Sequence, residues 1–399
     1  MTAGLDPLPI RAAIARGRSP LEVCTVLLDP PKAAEIRVRI AAAGVCHSDV
    51  HLADGSLGES RWPIVLGHEG AGVVEQVGAG VTNVAVGDRI ALCFVPPCRY
   101  CAACIAGRFN HCEQAAAQAY AGMLLDGTSR LHQQGPDGGR GLELKHFNFV
   151  SCFAEQVVVP ASSAVPVPDD LPLWQAALLG CAVMTGVGAV RNAAKVQVGD
   201  TVAVIGCGGV GLQVVAGAEL AGARQIIAVD RQQGNLERAK RIGATHLVDA
   251  DAGDPVAAVR ALCPGGVDHA FEVVGRAETI RMAWDVLRAG ATAIVVGLAP
   301  RGVEVSLPAI EFLSEKGIRG SFYGSANVPV ELPWLNRMVA DGRISLGDGV
   351  SHVTDLAGIE ASFERLRRGA GARTLVILDP DLAGTPPAVS ATDAPGAMS

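Results

Sequence analysis

The chain lacks an apolar run at its N-terminus, an excess of basic charge and an internal repeat. The opening "MTAGLDPLPIRAAIARGRSP" has no h-region, so export is not expected and a cytoplasmic protein is. The net charge of −7, spread over both halves, provides neither a nucleic-acid footprint nor a polybasic membrane patch. Charged residues are scarce at 18% against 49% hydrophobic, which describes a compact chain and argues against disorder. Without a repeat of solenoid type, a length of 399 residues points to two domains, each able to bury a core. The longest apolar stretch, Thr201 to Ala218, has the length of a membrane span. Glycines and Gln213 interrupt it and Glu219 follows, so a buried strand–turn–helix is expected there.

Eleven cysteines without an export signal suggest metal ligation or burial rather than disulfides. Four of them, Cys98, Cys101, Cys104 and Cys112, fall within fifteen residues in "CRYCAACIAGRFNHC". That spacing lets four thiolates close around one tetrahedral ion. An iron–sulfur cluster usually shows a tighter last interval followed by proline, whereas Glu113 follows Cys112, so a structural zinc is expected. With four protein ligands it has no place for substrate and serves to hold a lobe together.

Three further segments, "GVCHSDVH", "LGHEGAG" and "LGCAVMTG", are weak singly. Together they can supply a Cys, a His and a second Cys, one ligand fewer than zinc takes, and the vacancy is where a substrate oxygen would bind. A fourth motif, "TVAVIGCGGVGLQVV", sets Gly206, Gly208 and Gly211 in GxGxxG spacing after a β-run and before a helix-like stretch, with Asp230 at the end of the next strand. Glycines at this spacing let backbone amides approach a pyrophosphate at the helix N-terminus. Asp230 can accept from the adenosine ribose, which favours NAD, while the adjacent Arg231 leaves NADP open.

The four-cysteine run, the three ligand segments and the Gly-rich turn, in that family's order, resemble the zinc-dependent medium-chain alcohol dehydrogenases, and the resemblance extends from about Ile10 to Leu378. It implies an α/β protein: a GroES-like, β-rich catalytic domain (1–184, with the zinc lobe at 98–112, and 326–378) around a Rossmann coenzyme domain with a doubly wound parallel sheet (185–325). Residues 379–399, small and proline-rich, are expected to be unstructured. By the resemblance Cys46, His68 and Cys181 hold a catalytic zinc. Asp49 fixes the histidine ligand, and Glu69 sits behind the metal, its alternative being a carboxylate that satisfies a nearby arginine. Ser48 and His51 form a proton relay. Thr185 lies beside the nicotinamide, Gly209 and Val210 belong to the Gly-rich turn, and His47 and Arg373 reach the pyrophosphate.

The implied cofactors are NAD and two zinc ions per subunit, and the longer-loop branch that residues 113–150 resemble is dimeric. Leu57, Phe94, Leu298 and Tyr323 align with the pocket and are bulky and largely apolar, so primary alkyl or aromatic alcohols and aldehydes are the expected substrates. Two alternatives stand beside that expectation. One is a thiol-dependent formaldehyde dehydrogenase, which would need charged groups at the pocket mouth, where Asp54, Glu59 and Arg61 are the local candidates. The other is a non-catalytic zinc- and nucleotide-binding redox sensor.

Overall fold

The computed structural model describes residues 6–57, 61–369 and 371–389. Short Val/Ile-rich runs in the first half pair as antiparallel strands because their alternating side chains have a core on one face. Strand Glu35–Val45 is central to a seven-stranded sheet, bonded to Gly70–Val77, Gln156–Pro160 and Arg373–Ile377. Beside it five strands close a barrel: Leu8–Ala15, Glu22–Leu28, Ile64–Val65, Leu131–Gln134 and Arg140–His146. The segment 113–150 thus supplies helix Glu113–Ala121 and two barrel strands. Arg130, only 1% exposed, ties that segment down by donating to Glu35 Oε2 at 2.9 Å and to Asp126 Oδ2 at 2.7 Å.

From Thr201 the strands alternate with helices, and the only pairing that lets each helix cover the sheet is parallel. Six parallel strands lie in the spatial order His246–Asp249, Gln225–Asp230, Thr201–Ile205, Val267–Glu272, Leu287–Val295, Gly317–Gly320. Numbered along the chain this is 3-2-1-4-5-6, so the order reverses beside Thr201–Ile205, where doubly wound sheets open a ligand crevice. Helix Gly211–Leu220 begins there.

A helical run from Leu173 to Ala194 leads into this sheet. It is long and apolar enough to cross a membrane, yet 89% of its apolar window is buried within the protein. Strands Val350–Thr354 and Arg373–Ile377 return to the first sheet, with Thr374 opposite Val45.

One sequence expectation changes here. Residues 379–389 are not an unstructured tail: Asp379 caps the short helix Pro380–Ala383, pairs with Arg39 Nη1 at 2.9 Å, and Ala383 is fully buried. The rest of that expected tail, 390–399, lies outside the described residues. Helix Ala277–Asp285 stops before Leu287, because Leu287 pairs with Val267 and starts a strand. Of the cysteines outside the two clusters, Cys24 and Cys263 are only half-buried, whereas Cys93, Cys152 and Cys207 are buried.

His146 is buried among barrel residues, its Nε2 accepting from the Arg130 amide at 3.1 Å. Burial, and then the Arg130 charge, push its pKa down from 6.5 to about 3. The unfolded chain therefore takes up a proton near pH 6.5 that the folded chain refuses until about pH 3, so stability present above pH 6.5 is lost as the pH falls through this window. Denaturant titrations between pH 7 and pH 4 should show a shallower decline for His146→Gln than for the native protein; parallel declines would assign the acid sensitivity to other groups.

Candidate active site

Strand Glu35–Val45 ends at Cys46, which begins helix His47–Ala53. Because that helix repeats every 3.6 residues, Cys46 and Asp49 lie on its buried side, while Ser48 and His51 turn toward the cleft half-buried. His68 follows the barrel strand Ile64–Val65, and Cys181 sits in a wide helical turn, Leu179–Val183, of a kind frequent at functional sites. These three distant segments bring the donor atoms of Cys46, His68 and Cys181 within 4.8 Å of one another, with Cys181 Sγ 3.3 Å from His68 Nε2.

Two thiols and an imidazole, all buried, form a donor set that suits zinc and offers three ligands, leaving a fourth position for substrate. Asp49 supports the set. Its Oδ2 accepts from the Cys46 amide at 3.1 Å, and its Oδ1 accepts from the Gly67 amide at 2.9 Å and lies 3.4 Å from His68 Nδ1, so the other ring nitrogen faces the thiols. Glu69 is fully buried and its oxygens make no hydrogen bond among the described residues. Arg373 Nη1 stands 3.4 Å away, which matches the simpler alternative for this carboxylate, and burial pushes the Glu69 pKa up to about 7.

The second cluster fits a closed tetrahedral ion. The four sulfurs of Cys98, Cys101, Cys104 and Cys112 lie within 4.8 Å of one another, with Cys98 and Cys104 at 3.9 Å. A zinc with bonds of about 2.3 Å would space its sulfurs by roughly 3.8 Å. Backbone amides of Cys98 and Cys101 point at the sulfurs of Cys112 and Cys98, each at 3.3 Å, as expected for groups that stabilise thiolates.

The Gly-rich turn is shaped for a dinucleotide. Gly206 has φ +90°, and a Cβ on Gly211 would stand 1.8 Å from the Gly206 carbonyl, so the helix packs this close to the strand only without a side chain. Around Gly208 there is open space. Asp230 closes the turn from the next strand, accepting from the Cys207 amide at 2.6 Å and the Gln232 amide at 2.8 Å. Arg373 reaches the same turn: a Cβ on Gly209 would meet its Nε at 2.7 Å, and its Nη1 donates to the Val45 carbonyl at 2.8 Å. Val210 precedes the helix, and Thr185 is half-buried beside Gly186, whose Cβ would meet the Val210 carbonyl at 2.7 Å. His47 lies at the start of its helix with its ring 6.3 Å from that of His51.

The residues read as pocket walls fall in different surroundings. Phe94 meets the His68 ring edge-on at 5.4 Å and so walls the site. Leu57 is half-buried, its amide bonded to the His51 carbonyl, and Leu298 stands 43% exposed on the opposite loop. Tyr323 is not a pocket wall: it is 2% exposed and its hydroxyl is spent on the Gly180 carbonyl. Sequence reasoning missed Phe147, 5.0 Å from the His68 ring, and Phe322, 6.2 Å from Phe94. Neither lies in a motif. Of the charged candidates near Leu57, Glu59 lies outside the described residues, whereas Arg61 shares the Tyr120 ring with Arg301, which the sequence did not single out, at 5.1 Å and 5.7 Å from its centre.

The family models for the alcohol dehydrogenase GroES-like domain and for the zinc-binding dehydrogenase match residues 32–169 and 209–340. Alcohol dehydrogenase class-3 of Cereibacter sphaeroides is 34% identical over 377 residues, covering 92% of this chain and 99% of its own. S-(hydroxymethyl)glutathione dehydrogenase of Photobacterium damsela subsp. piscicida is 36% identical over 370 residues, covering 92% and 99%. Among solved structures, a zinc-binding-domain alcohol dehydrogenase protein from Burkholderia ambifaria superimposes with a TM-score of 0.88 at 33% identity, covering 94% of this chain and 100% of the other. Benzyl alcohol dehydrogenase from Acinetobacter calcoaceticus gives 0.83 at 29% identity, covering 93% and 99%.

Asp49→Asn keeps the size of the side chain but removes the charge that holds His68. It is expected to weaken metal retention at the Cys46–His68–Cys181 triad roughly ten- to a hundredfold while sparing the four-cysteine lobe. Metal content during graded chelation should fall from two ions to one at lower chelator concentration than in the native protein, and superimposable curves would contradict this.

Proposed function

The chain belongs to the zinc-dependent medium-chain dehydrogenase/reductase family and is an NAD-dependent zinc oxidoreductase acting on CH–OH donors; from that premise we propose that its alcohol is the S-hydroxymethyl adduct of an anionic low-molecular-weight thiol. The observation that carries this reading is the Arg61–Tyr120–Arg301 cluster. Arg61 follows Leu57 by four residues and Arg301 follows Leu298 by three, so both guanidiniums are close in sequence to residues read as pocket walls. Neither pairs with a carboxylate among the described residues. In our reading these guanidiniums border the pocket, where they suit a substrate whose reacting carbinol lies inside and whose carboxylates remain outside. The class-3 and S-(hydroxymethyl)glutathione dehydrogenase relatives support this choice over the plain primary alcohol.

When bound, zinc supplies a Lewis acid that lowers the pKa of water from about 15.7 to about 7, and NAD supplies a hydride acceptor. The remaining work falls to side chains of this chain. Ser48 Oγ, 3.7 Å from Cys46 Sγ, receives the alcohol proton. His51, one turn further along the same helix face, carries that proton toward solvent; its Nδ1 has no other partner among the described residues. Phe94 and Phe147 exclude water from around His68, which strengthens each charge interaction there. Glu69, paired with Arg373, backs the triad and can approach it when ligands exchange. Asp230 offers its carboxylate to ribose hydroxyls, and Arg231 is turned away to Asp251 at 2.7 Å, so NAD is preferred to its 2′-phosphorylated form. His47 and Arg373 flank the pyrophosphate side of the turn.

The Phe94–Phe322 wall favours a second reading, a benzylic or alkyl primary alcohol. A cytoplasmic homodimer completes the proposal. Strand Gly317–Gly320 is the edge of the parallel sheet, and the preceding Ile310 and Leu313 are 72% and 82% exposed, the kind of surface a second copy would cover.

Initial rates of NAD reduction with formaldehyde alone and with glutathione or mycothiol, beside benzyl alcohol and hexanol, test the reading. The thiol adduct should give the highest kcat/KM. Arg61→Ala and Arg301→Ala should each raise its KM roughly tenfold, the loss of one charge-assisted contact, and leave hexanol kinetics within about twofold. Oxidation of formaldehyde that is indifferent to thiol, with hexanol or benzyl alcohol preferred, would move the assignment to the second reading.

A further inference from the structure

Between the two cysteine clusters runs a segment, residues 322–325, of which the chemistry above uses only Phe322. Tyr323, Gly324 and Ser325 have φ of +55°, +65° and +51°, a region that side-chain-bearing residues occupy only where their surroundings hold them. The surroundings do so at several points. Gly324 is pressed against the Leu173–Ala194 helical run, where a Cβ would stand 2.2 Å from the Met184 carbonyl, and Asn192 Nδ2 donates to its carbonyl at 3.1 Å.

The two ends of the segment are tied to different metal-ligand clusters. At one end Asn110, only 4% exposed and lying between Cys104 and Cys112, donates from Nδ2 to the Phe322 carbonyl at 2.9 Å. At the other, the Tyr323 hydroxyl donates to the Gly180 carbonyl at 2.5 Å, directly before Cys181. Gly180 lies in the wide turn Leu179–Val183, where the ordinary helical ladder is interrupted and a carbonyl needs an outside donor. The Tyr323 ring also packs on Phe94 with centroids 3.9 Å apart, and Phe94 in turn meets His68. Tyr323 therefore bears on the supports of two of the three triad ligands without touching the triad donors themselves.

We propose that Tyr323 is a positioning residue for Cys181, His68 and the Phe94 wall, and that the four-cysteine lobe sets it through the Asn110–Phe322 hydrogen bond. The lobe then does more than stabilise the fold: it fixes the geometry of the open site from the far side of the pocket. This inference rests on metal at the triad and not on which alcohol is oxidised, so it stands or falls separately from the thiol-adduct reading.

Cobalt exchanged into the triad gives visible absorption bands that report ligand geometry independently of turnover. In Tyr323→Phe, which keeps the ring and loses only the hydroxyl, the bands should move and release of the triad metal to a chelator should quicken roughly three- to tenfold, the worth of one hydrogen bond. Asn110→Ala touches no triad ligand, yet it should move the same bands in the same direction while the lobe keeps its metal, and the double variant should show less than the summed effect. Unchanged bands and release in Tyr323→Phe would overturn the positioning role. A shift in that variant with none in Asn110→Ala would overturn the link to the lobe.

Discussion

Two cysteine thiols and an imidazole, buried together where water cannot reach them, form the constraint on which the rest of this structure depends. An ionised thiolate in such surroundings is costly unless a cation shares the space. The two thiols are shifted in opposite directions: hydrogen bonding with Cys181 holds Cys46 well below its ordinary pKa, and the same contact and burial push Cys181 well above it. A divalent cation in that space would let both ionise, which is the chemistry this donor set suits. The Asp49 bonds to the Cys46 and Gly67 amides exist to hold the three donors in register for that ion.

The chain order matters because these donors come from a strand end, a barrel loop and a helix that share no local sequence. What unites them is the central strand Glu35–Val45 and its late partner Arg373–Ile377. That pairing carries Arg373 to the back of the triad and to the Gly-rich turn at once, so one guanidinium faces both the buried Glu69 carboxylate and Gly209. The reversal of strand order in the parallel sheet sets that turn at the edge of the same cleft. Metal chemistry and coenzyme binding thus meet because a strand from the end of the chain returns to the first sheet.

Much of the site could be read from residue order. The spacing of Cys98, Cys101, Cys104 and Cys112 suffices, since four ligands within fifteen residues can close on one ion whatever surrounds them. The Gly-rich turn was readable for a similar reason: its glycines answer a local steric demand, visible in the 1.8 Å that would separate a Gly211 Cβ from the Gly206 carbonyl. Periodicity distinguished the antiparallel first half from the alternating second. It could not see that Asp379, an apparent tail residue, would find Arg39 and cap a helix.

What the sequence determined by itself was chemistry of short range: one closed cluster, an open ligand set, a phosphate-binding turn and the rhythm of two domains. The tertiary structure alone decided that Tyr323 turns inward to Gly180 instead of lining the pocket, that Phe147 and Phe322 join the aromatic wall, and that Arg61 and Arg301 share the face of Tyr120. The reason is physical. Spacing along a chain constrains groups a few bonds apart, whereas contacts between residues hundreds of positions apart are set by how whole sheets and helices pack, and no local pattern records that outcome.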